Sequence, residues 1–158
     1  MAIALRTVSI NPAFLQEIKE DHHELRQLMH HTSAMLDRSG PVEIEYARLV
    51  EMFSKLRDQL AMHFSLEEAY GYFEDAMVVA PHLSRRAEVL RGQHFDLFAD
   101  LCRLVESAEQ LLYHEQPTSL LERLAGQYRR FLVRFREHES QECDLILEAF
   151  NDDIGTGD

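Results

Sequence analysis

Residues 124–149 read LAGQYRRFLVRFREHESQECDLILEA, and this stretch decides the fold. Its apolar side chains recur at alternating intervals of four and three residues, which is the spacing of one face of an α-helix. His138 and Glu142 interrupt this apolar stripe one helical turn apart. The stretch therefore predicts a helix with a histidine and a glutamate on its buried side. The stripe consists of Leu124, Tyr128, Phe131, Phe135, His138, Glu142, Leu145 and Ala149.

Three other segments of the chain show the same helical periodicity, and each carries a histidine on its stripe. β-branched residues are sparse and no alternating run exceeds a few residues, so no strand is predicted. The segments and their polar stripe residues are 15–36 with His22, 49–70 with His63 and Glu67, and 83–111 with His94.

Prolines mark the starts of the helices. Pro12 follows Asn11 at the start of the first helix, Gly40-Pro41 separates the first two, and Pro81 opens the third. Short connections make successive helices antiparallel neighbours. The sequence therefore predicts an all-α fold, an up-down-up-down four-helix bundle.

Length and composition are those of one ordinary globular domain of 158 residues, with 46% hydrophobic and 28% charged residues. We assign residues 1–11 to an N-terminal segment, 12–150 to the bundle and 151–158 to a disordered tail. The net charge of −12 argues against nucleic acid and anionic membranes as partners. No secretion signal or membrane span is recognisable, and Cys102 and Cys143 lack a CxxC spacing, so a cytoplasmic protein is expected.

The six polar stripe residues predict a metal site. With a rise of about 1.5 Å per residue in antiparallel helices, all six fall at roughly one level of the bundle. Hydrophobic periodicity does not require that coincidence. The alternative is a polar layer without metal, which would leave four imidazoles and two carboxylates to pair in a dry core. We therefore expect His22, His63, Glu67, His94, His138 and Glu142 to be metal ligands.

The remaining histidines fall off the stripes or near turns, and we expect them to be solvated. Tyr70 follows Glu67 by three residues and is a candidate proton donor near the site, although helix-end packing is the simpler interpretation. The role of Cys143, directly after Glu142, is open. The solvated histidines are His23, His30, His31, His82 and His114.

The ligand pattern resembles the hemerythrin-like, or HHE cation-binding, family over residues 12–150. Asp21-His22-His23-Glu24-Leu25 is similar to the first-helix signature of that family, and residues 63–68, HFSLEE, to its second-helix signature. The resemblance implies a left-handed four-helix bundle around a non-haem di-iron centre. Ferritin-like bundles match less well, because they place glutamates on two helices and Glu-x-x-His on the others.

The chain departs from the oxygen-carrying members of that family at two positions. Those members place a histidine four residues after the third-helix ligand and an aspartate five after the fourth-helix ligand, where this chain has Phe98 and Cys143. The resemblance is therefore to the branch in which glutamates from both HxxxE motifs bridge the metals. An open coordination position follows, which favours reaction or sensing over reversible oxygen carriage.

The resemblance implies two non-haem iron ions with an oxo or hydroxo bridge, two of the four histidines on each metal, and manganese or zinc as alternatives. The expected ligands are small molecules such as oxygen, peroxide or nitric oxide. Three functions remain open: a sensor, scavenger or store of such a ligand, a di-iron peroxidase or iron-centre repair enzyme, and an iron buffer without turnover. A sensor would need a protein partner, since the chain shows no output domain.

Overall fold

Four long helices form the bundle in this computed structural model. They are α1 (Pro12–Leu36), α2 (Tyr46–Ala69), α3 (Ser84–Gln110) and α4 (Thr118–Gly155), with a 3-10 turn at Pro81–Leu83. The structure describes residues 12–37, 45–69, 78, 80–114 and 118–155, of which 12–21 and 150–155 are described as helical backbone. No strand occurs within these ranges, so the predicted all-α four-helix bundle is confirmed.

Pro12 and Pro81 act as the sequence predicts, whereas Gly40 and Pro41 lie outside the described residues. Pro12 is the first residue of α1, where its missing N–H leaves no helical hydrogen bond unmade. Pro81 opens the 3-10 turn that precedes α3, and the hydroxyl of Ser84 donates to the carbonyl oxygen of Pro81 at 2.6 Å. This bond satisfies a carbonyl at the change from the 3-10 turn to the α-helix.

Each helix packs against the next one along the chain, α1 on α2, α2 on α3 and α3 on α4. The main core lies among all four and is dominated by leucines with Phe53, Phe131 and Phe135, each at most 2% exposed. Burial of one such aromatic side chain stabilises the fold by about 1.5–3 kcal/mol. Between α1 and α4, the buried hydroxyl of Tyr128 donates to the carbonyl oxygen of Met29 at 2.8 Å.

A smaller apolar cluster lies at the start of α3 and the end of α4. It contains Ala80, Leu83, Ala87, Leu90, Leu145 and Ala149. His94 and His138 lie on the segments between this cluster and the main core, since Leu97 and Phe135 belong to the main core. The polar stripe residues of α3 and α4 therefore have apolar packing on both sides.

The last helix is longer than expected, because α4 continues past Phe150 to Gly155. Leu145 and Ala149 pack into the smaller cluster, and no proline or glycine follows until Gly155, so the helical backbone has no reason to end at residue 150. No helix in the described part of the chain is long and apolar enough to cross a membrane.

Candidate metal centre

The six residues expected from the sequence meet in one layer between the helices. Five of them are between 2% and 4% exposed: His63, Glu67, His94, His138 and Glu142. The sixth, His22 on α1, is at the edge of the layer with a 28% exposed side chain. The structure resolves them into two groups, and Glu139 joins them as a seventh residue.

The first group consists of His22, His63 and Glu139, from α1, α2 and α4. Nδ1 of His22 lies 3.0 Å from Oε1 of Glu139, and the two imidazole centroids are 5.5 Å apart. One ligand atom from each of the three residues lies within 4.8 Å of the others. Two imidazoles and a carboxylate at this spacing could hold one metal ion.

The second group consists of His94, His138 and Glu142, and all three are buried. Oε1 of Glu142 lies 3.1 Å from Nε2 of His94 and 2.8 Å from Nε2 of His138. The imidazole centroids of the two histidines are 4.9 Å apart. This group repeats the composition of the first, with α3 and α4 as the source of its ligand atoms.

Glu67 lies between the two groups. Its Oε1 is 2.8 Å from Nε2 of His63 in the first group, and its Oε2 is 3.4 Å from Nε2 of His94 in the second. Glu142 was also expected to bridge the two metals, and the contacts of its Oε1 lie within the second group. Glu142 sits one turn after His138 and directs one oxygen to both histidines of the second group, while Glu139 supplies the carboxylate that faces α1.

Three buried ligand-type atoms make no well-aligned hydrogen bond within the described residues, although each lies within 3.4 Å of an imidazole or carboxylate atom. They are Oε2 of Glu67, Oε1 of Glu139 and Nε2 of His138. Buried polar atoms in folded proteins are almost always satisfied, so three such atoms in one layer require an explanation. One belongs to each group and one to the carboxylate between them. Metal ions at the two positions would satisfy all three, so the residues present fit such ions.

Two hydrogen bonds on the outer side of the layer orient the histidines of the second group. Nδ1 of His94 lies 3.1 Å from Oε1 of Glu68, and Nδ1 of His138 lies 2.9 Å from Oε1 of Gln93. An acceptor on Nδ1 keeps the proton there and turns Nε2 inward. Metal-binding histidines commonly have this arrangement, and here one outer partner is an anion and the other a neutral amide.

The titration behaviour of the layer reflects burial and crowded charges. Burial raises the pKa of Glu67, and the neighbouring carboxylate of Glu142 adds to the increase. Burial alone would also raise the pKa of Glu142, but the imidazoles of His138 and His94 hold it down at about 2. Burial opposes the charged form of His94, yet contacts with Glu142 and Glu68 raise its pKa overall. Without metal, the two carboxylates therefore favour the protonated form of His94.

Aromatic rings enclose the second group. Phe64 stacks on the imidazole of His94 with ring centroids 3.9 Å apart, and it meets His138 edge-on at 5.8 Å. Phe135 packs edge-on to His63 at 6.4 Å. Phe98, which stands where the oxygen-carrying members have a histidine, is only half-buried. The apolar wall beside His94 is thus supplied mainly by α2.

Glu139 is the residue that the stripe analysis missed. It follows His138 directly, so it points away from the stripe centre toward α1, and periodicity alone places it at the half-buried margin. A usable signal was that His22, unlike His63 and His138, has no carboxylate four residues later, where Arg26 stands. The carboxylate beside His22 therefore comes from another helix, α4.

The other sequence expectations near the site have mixed outcomes. The five off-stripe histidines, His23, His30, His31, His82 and His114, are all exposed, as expected. Cys143 is an exposed free thiol directed away from the layer, and Cys102 is a half-buried one. Tyr70 lies outside the described residues.

Fold and site together define a helical bundle with a cation-binding layer of histidines and carboxylates between its helices. The family model for the hemerythrin HHE cation binding domain matches residues 13–150 of the chain. The chain therefore belongs to this family, as its sequence pattern predicted. No curated protein and no solved structure matches it significantly.

Proposed function

We propose that this protein holds two non-haem iron ions and that the centre binds or reacts with a small ligand such as oxygen, peroxide or nitric oxide. His22, His63 and Glu139 would hold one ion, and His94, His138 and Glu142 the other. Glu67 would give one oxygen to each. The observation that carries the proposal is this pair of equivalent groups with a carboxylate between them.

The donor set favours iron over the common alternatives. With one atom from each residue and one from Glu67, each position has two imidazole nitrogens and two carboxylate oxygens. Mixed nitrogen and oxygen donors of this kind suit iron, manganese or zinc, whereas calcium prefers oxygen alone and copper(I) prefers sulfur. Four protein ligands leave room for further ligands on an iron ion that prefers a higher coordination number.

The two positions differ in their access to solvent, which suggests a division of roles. The His22 side chain is 28% exposed and that of Glu139 16% exposed, so the first position is open at the edge between α1 and α4. The second position is enclosed by Phe64 and by the buried His94 and His138. A small molecule would reach the first position more readily, while the second remains shielded from water.

A bound pair of irons supplies redox chemistry and an electrophilic site for small anions and diatomic ligands. The residues of the chain supply the surroundings of that chemistry. Glu68 and Gln93 fix the Nδ1 protons of His94 and His138, and so set how strongly each Nε2 donates. Phe64 excludes water from the face of His94.

Metal analysis of protein purified from iron-supplemented cells tests the proposal. We expect two irons per chain, with the near-ultraviolet absorption of bridged ferric ions. Zinc alone, or no metal, would contradict it. Given bound iron, repeated turnover of peroxide would indicate an enzyme and reversible ligand binding a sensor or store. Rapid loss of iron to a chelator would indicate a buffer.

A further inference from the structure

A cavity of about 660 Å³ lies between α1 and α4, beside the first metal position. Its wall is apolar along Met29, Leu132 and Phe135. Glu139 lines one end, and Leu36 lies beside Asp37 at the other. Its volume falls in the range of small-molecule sites, about 300–1,000 Å³, and far exceeds what a diatomic ligand or peroxide occupies. The cavity is therefore large enough for an organic molecule.

The positive charge at the Glu139 end of the cavity is only weakly compensated. Nη2 of Arg26 is 4.0 Å from Oε2 of Glu139, the limit for an ion pair, while Oε1 of Glu139 faces His22. Arg136, one turn before Glu139, makes no ion pair within the described residues. At the opposite end, Arg129 is paired with Asp37 at 3.6 Å.

We propose that this cavity binds an amphipathic monocarboxylate, with its anionic head at Arg26 and Arg136 and its apolar body along Met29, Leu132 and Phe135. Two guanidinium groups and one carboxylate leave a single positive charge at that end, which matches a single negative charge. Arginine pairs well with carboxylates because its planar donors match their geometry. In a chain of net charge −12, such a site for an anion requires local cations of this kind.

Two hydroxyls in the middle of the cavity, those of Ser33 and Tyr128, already take part in hydrogen bonds. The Tyr128 hydroxyl in its wall already donates to the carbonyl oxygen of Met29 at 2.8 Å. An apolar chain lying there would remove the half-buried Leu132 from water without costing a buried hydrogen bond. The head group would then lie beside Glu139, within the layer that faces the first metal position.

Isothermal titration of the full chain with octanoate, octanol and octyl phosphate tests the site. We expect saturable binding of octanoate at one site per chain and binding of both analogues at least about tenfold weaker, since octanol lacks the charge and the phosphate has an excess of it. Equal affinity for octanol, tighter binding of octyl phosphate, or no saturable binding of octanoate would each overturn the proposal.

Two substitutions and a matched control locate the binding site. Arg136→Gln should weaken octanoate binding about tenfold, through loss of a charged hydrogen bond. Leu132→Trp should abolish it by filling the cavity, with helical content verified by circular dichroism. Arg130→Gln makes the same charge change on the same helix but lines a different cavity, next to Asp100, and should leave affinity unchanged. Unaltered binding in Arg136→Gln would overturn the assignment.

The titration is performed on metal-free and on iron-loaded protein, which separates this inference from the metal assignment. Binding to the metal-free chain tests the cavity alone. If iron occupies the first position, Glu139 is neutralised by it and no longer repels the head group, so octanoate should bind more tightly. A chain that takes up no iron but binds octanoate with the expected dependence on Arg136 would overturn the proposed function and support the cavity site.

Discussion

Phe64 of α2 stacks face to face on His94 of α3, with an angle of 8° between the ring planes and 3.9 Å between the centroids. Phe64 directly follows His63, so one turn of α2 supplies a histidine to the first group and a supporting ring to the second. This contact fixes the plane of the His94 imidazole, while the hydrogen bond to Glu68 fixes its rotation.

The stacked ring predicts a specific effect of Phe64→Leu. The substitution keeps an apolar side chain but removes the stacking, so the free energy of unfolding should fall by about 1–2 kcal/mol. Urea unfolding of the metal-free protein measures it. Phe95→Leu on α3, whose ring is 76% exposed, is the control and should change stability by less than about 0.5 kcal/mol. Equal losses in both variants would argue against the stacking contact.

The position of Glu139 predicts that its replacement removes one metal ion and not both. Glu139→Gln should reduce iron from two ions per chain to one, because His94, His138 and Glu142 remain intact. Metal analysis after gel filtration measures the ratio. Glu137→Gln, an exposed residue two positions earlier, is the matched control and should keep both ions. Two ions in Glu139→Gln would remove Glu139 from the ligand set.

The sequence predicted the fold and the histidine layer because both follow from a single periodicity. Every buried polar residue on a stripe, such as His138 and Glu142, is visible as a polar interruption of a regular apolar pattern. The partition of histidines into His22 with His63 and His94 with His138 was left open. The partition depends on how neighbouring helices are arranged around the layer. The spacing of residues within one helix gives no information about that arrangement.

The residues that the sequence did not identify lie beside the stripes. Glu139, Glu68 and Gln93 are each adjacent to a stripe position and reach the layer from its margin. Their partners are on other helices, so their side-chain directions depend on packing across the bundle. Phe64 also lies beside a stripe position, directly after His63, although its apolar character already indicated that it would be buried.

Glu68 and Gln93 are the hydrogen-bond acceptors for Nδ1 of His94 and of His138. Exchanging the charge of each acceptor should shift the reduction potential in opposite directions. Glu68→Gln replaces an anionic acceptor on His94 by a neutral one, so Nε2 should donate less charge and the potential should rise. Gln93→Glu makes the reverse change at His138 and should lower it. Potentiometric titration of the iron-loaded protein measures both, with the exposed Glu106→Gln as control. Shifts of the same sign in both variants would contradict the assigned roles.

Removal of the outer acceptor altogether should weaken metal binding itself. Glu68→Ala leaves Nδ1 of His94 without its carboxylate, and such losses typically cost about 10–100-fold in metal affinity. Competition with a chelator measures the affinity of each ion separately. The ion held by His22 and His63 should be released as in the unaltered protein, and selective weakening of that ion instead would place Glu68 at the other group.

The buried Tyr128 predicts how stability depends on pH at the alkaline end. Burial raises its pKa from 10 to about 12, so its contribution is complete below pH 10 and is lost as pH rises toward 12. A shift of that size corresponds to about 3 kcal/mol. Tyr128→Phe loses the hydrogen bond to Met29 and should be about 1 kcal/mol less stable at neutral pH.

Above about pH 11 the order of the two proteins should invert, because the unaltered chain has to keep a hydroxyl protonated that the unfolded chain ionises. Urea unfolding at a series of alkaline pH values measures the difference. Tyr113→Phe removes an 85% exposed tyrosine and should leave the alkaline loss of stability in place. The same loss in Tyr128→Phe as in the unaltered protein would show that another group is responsible.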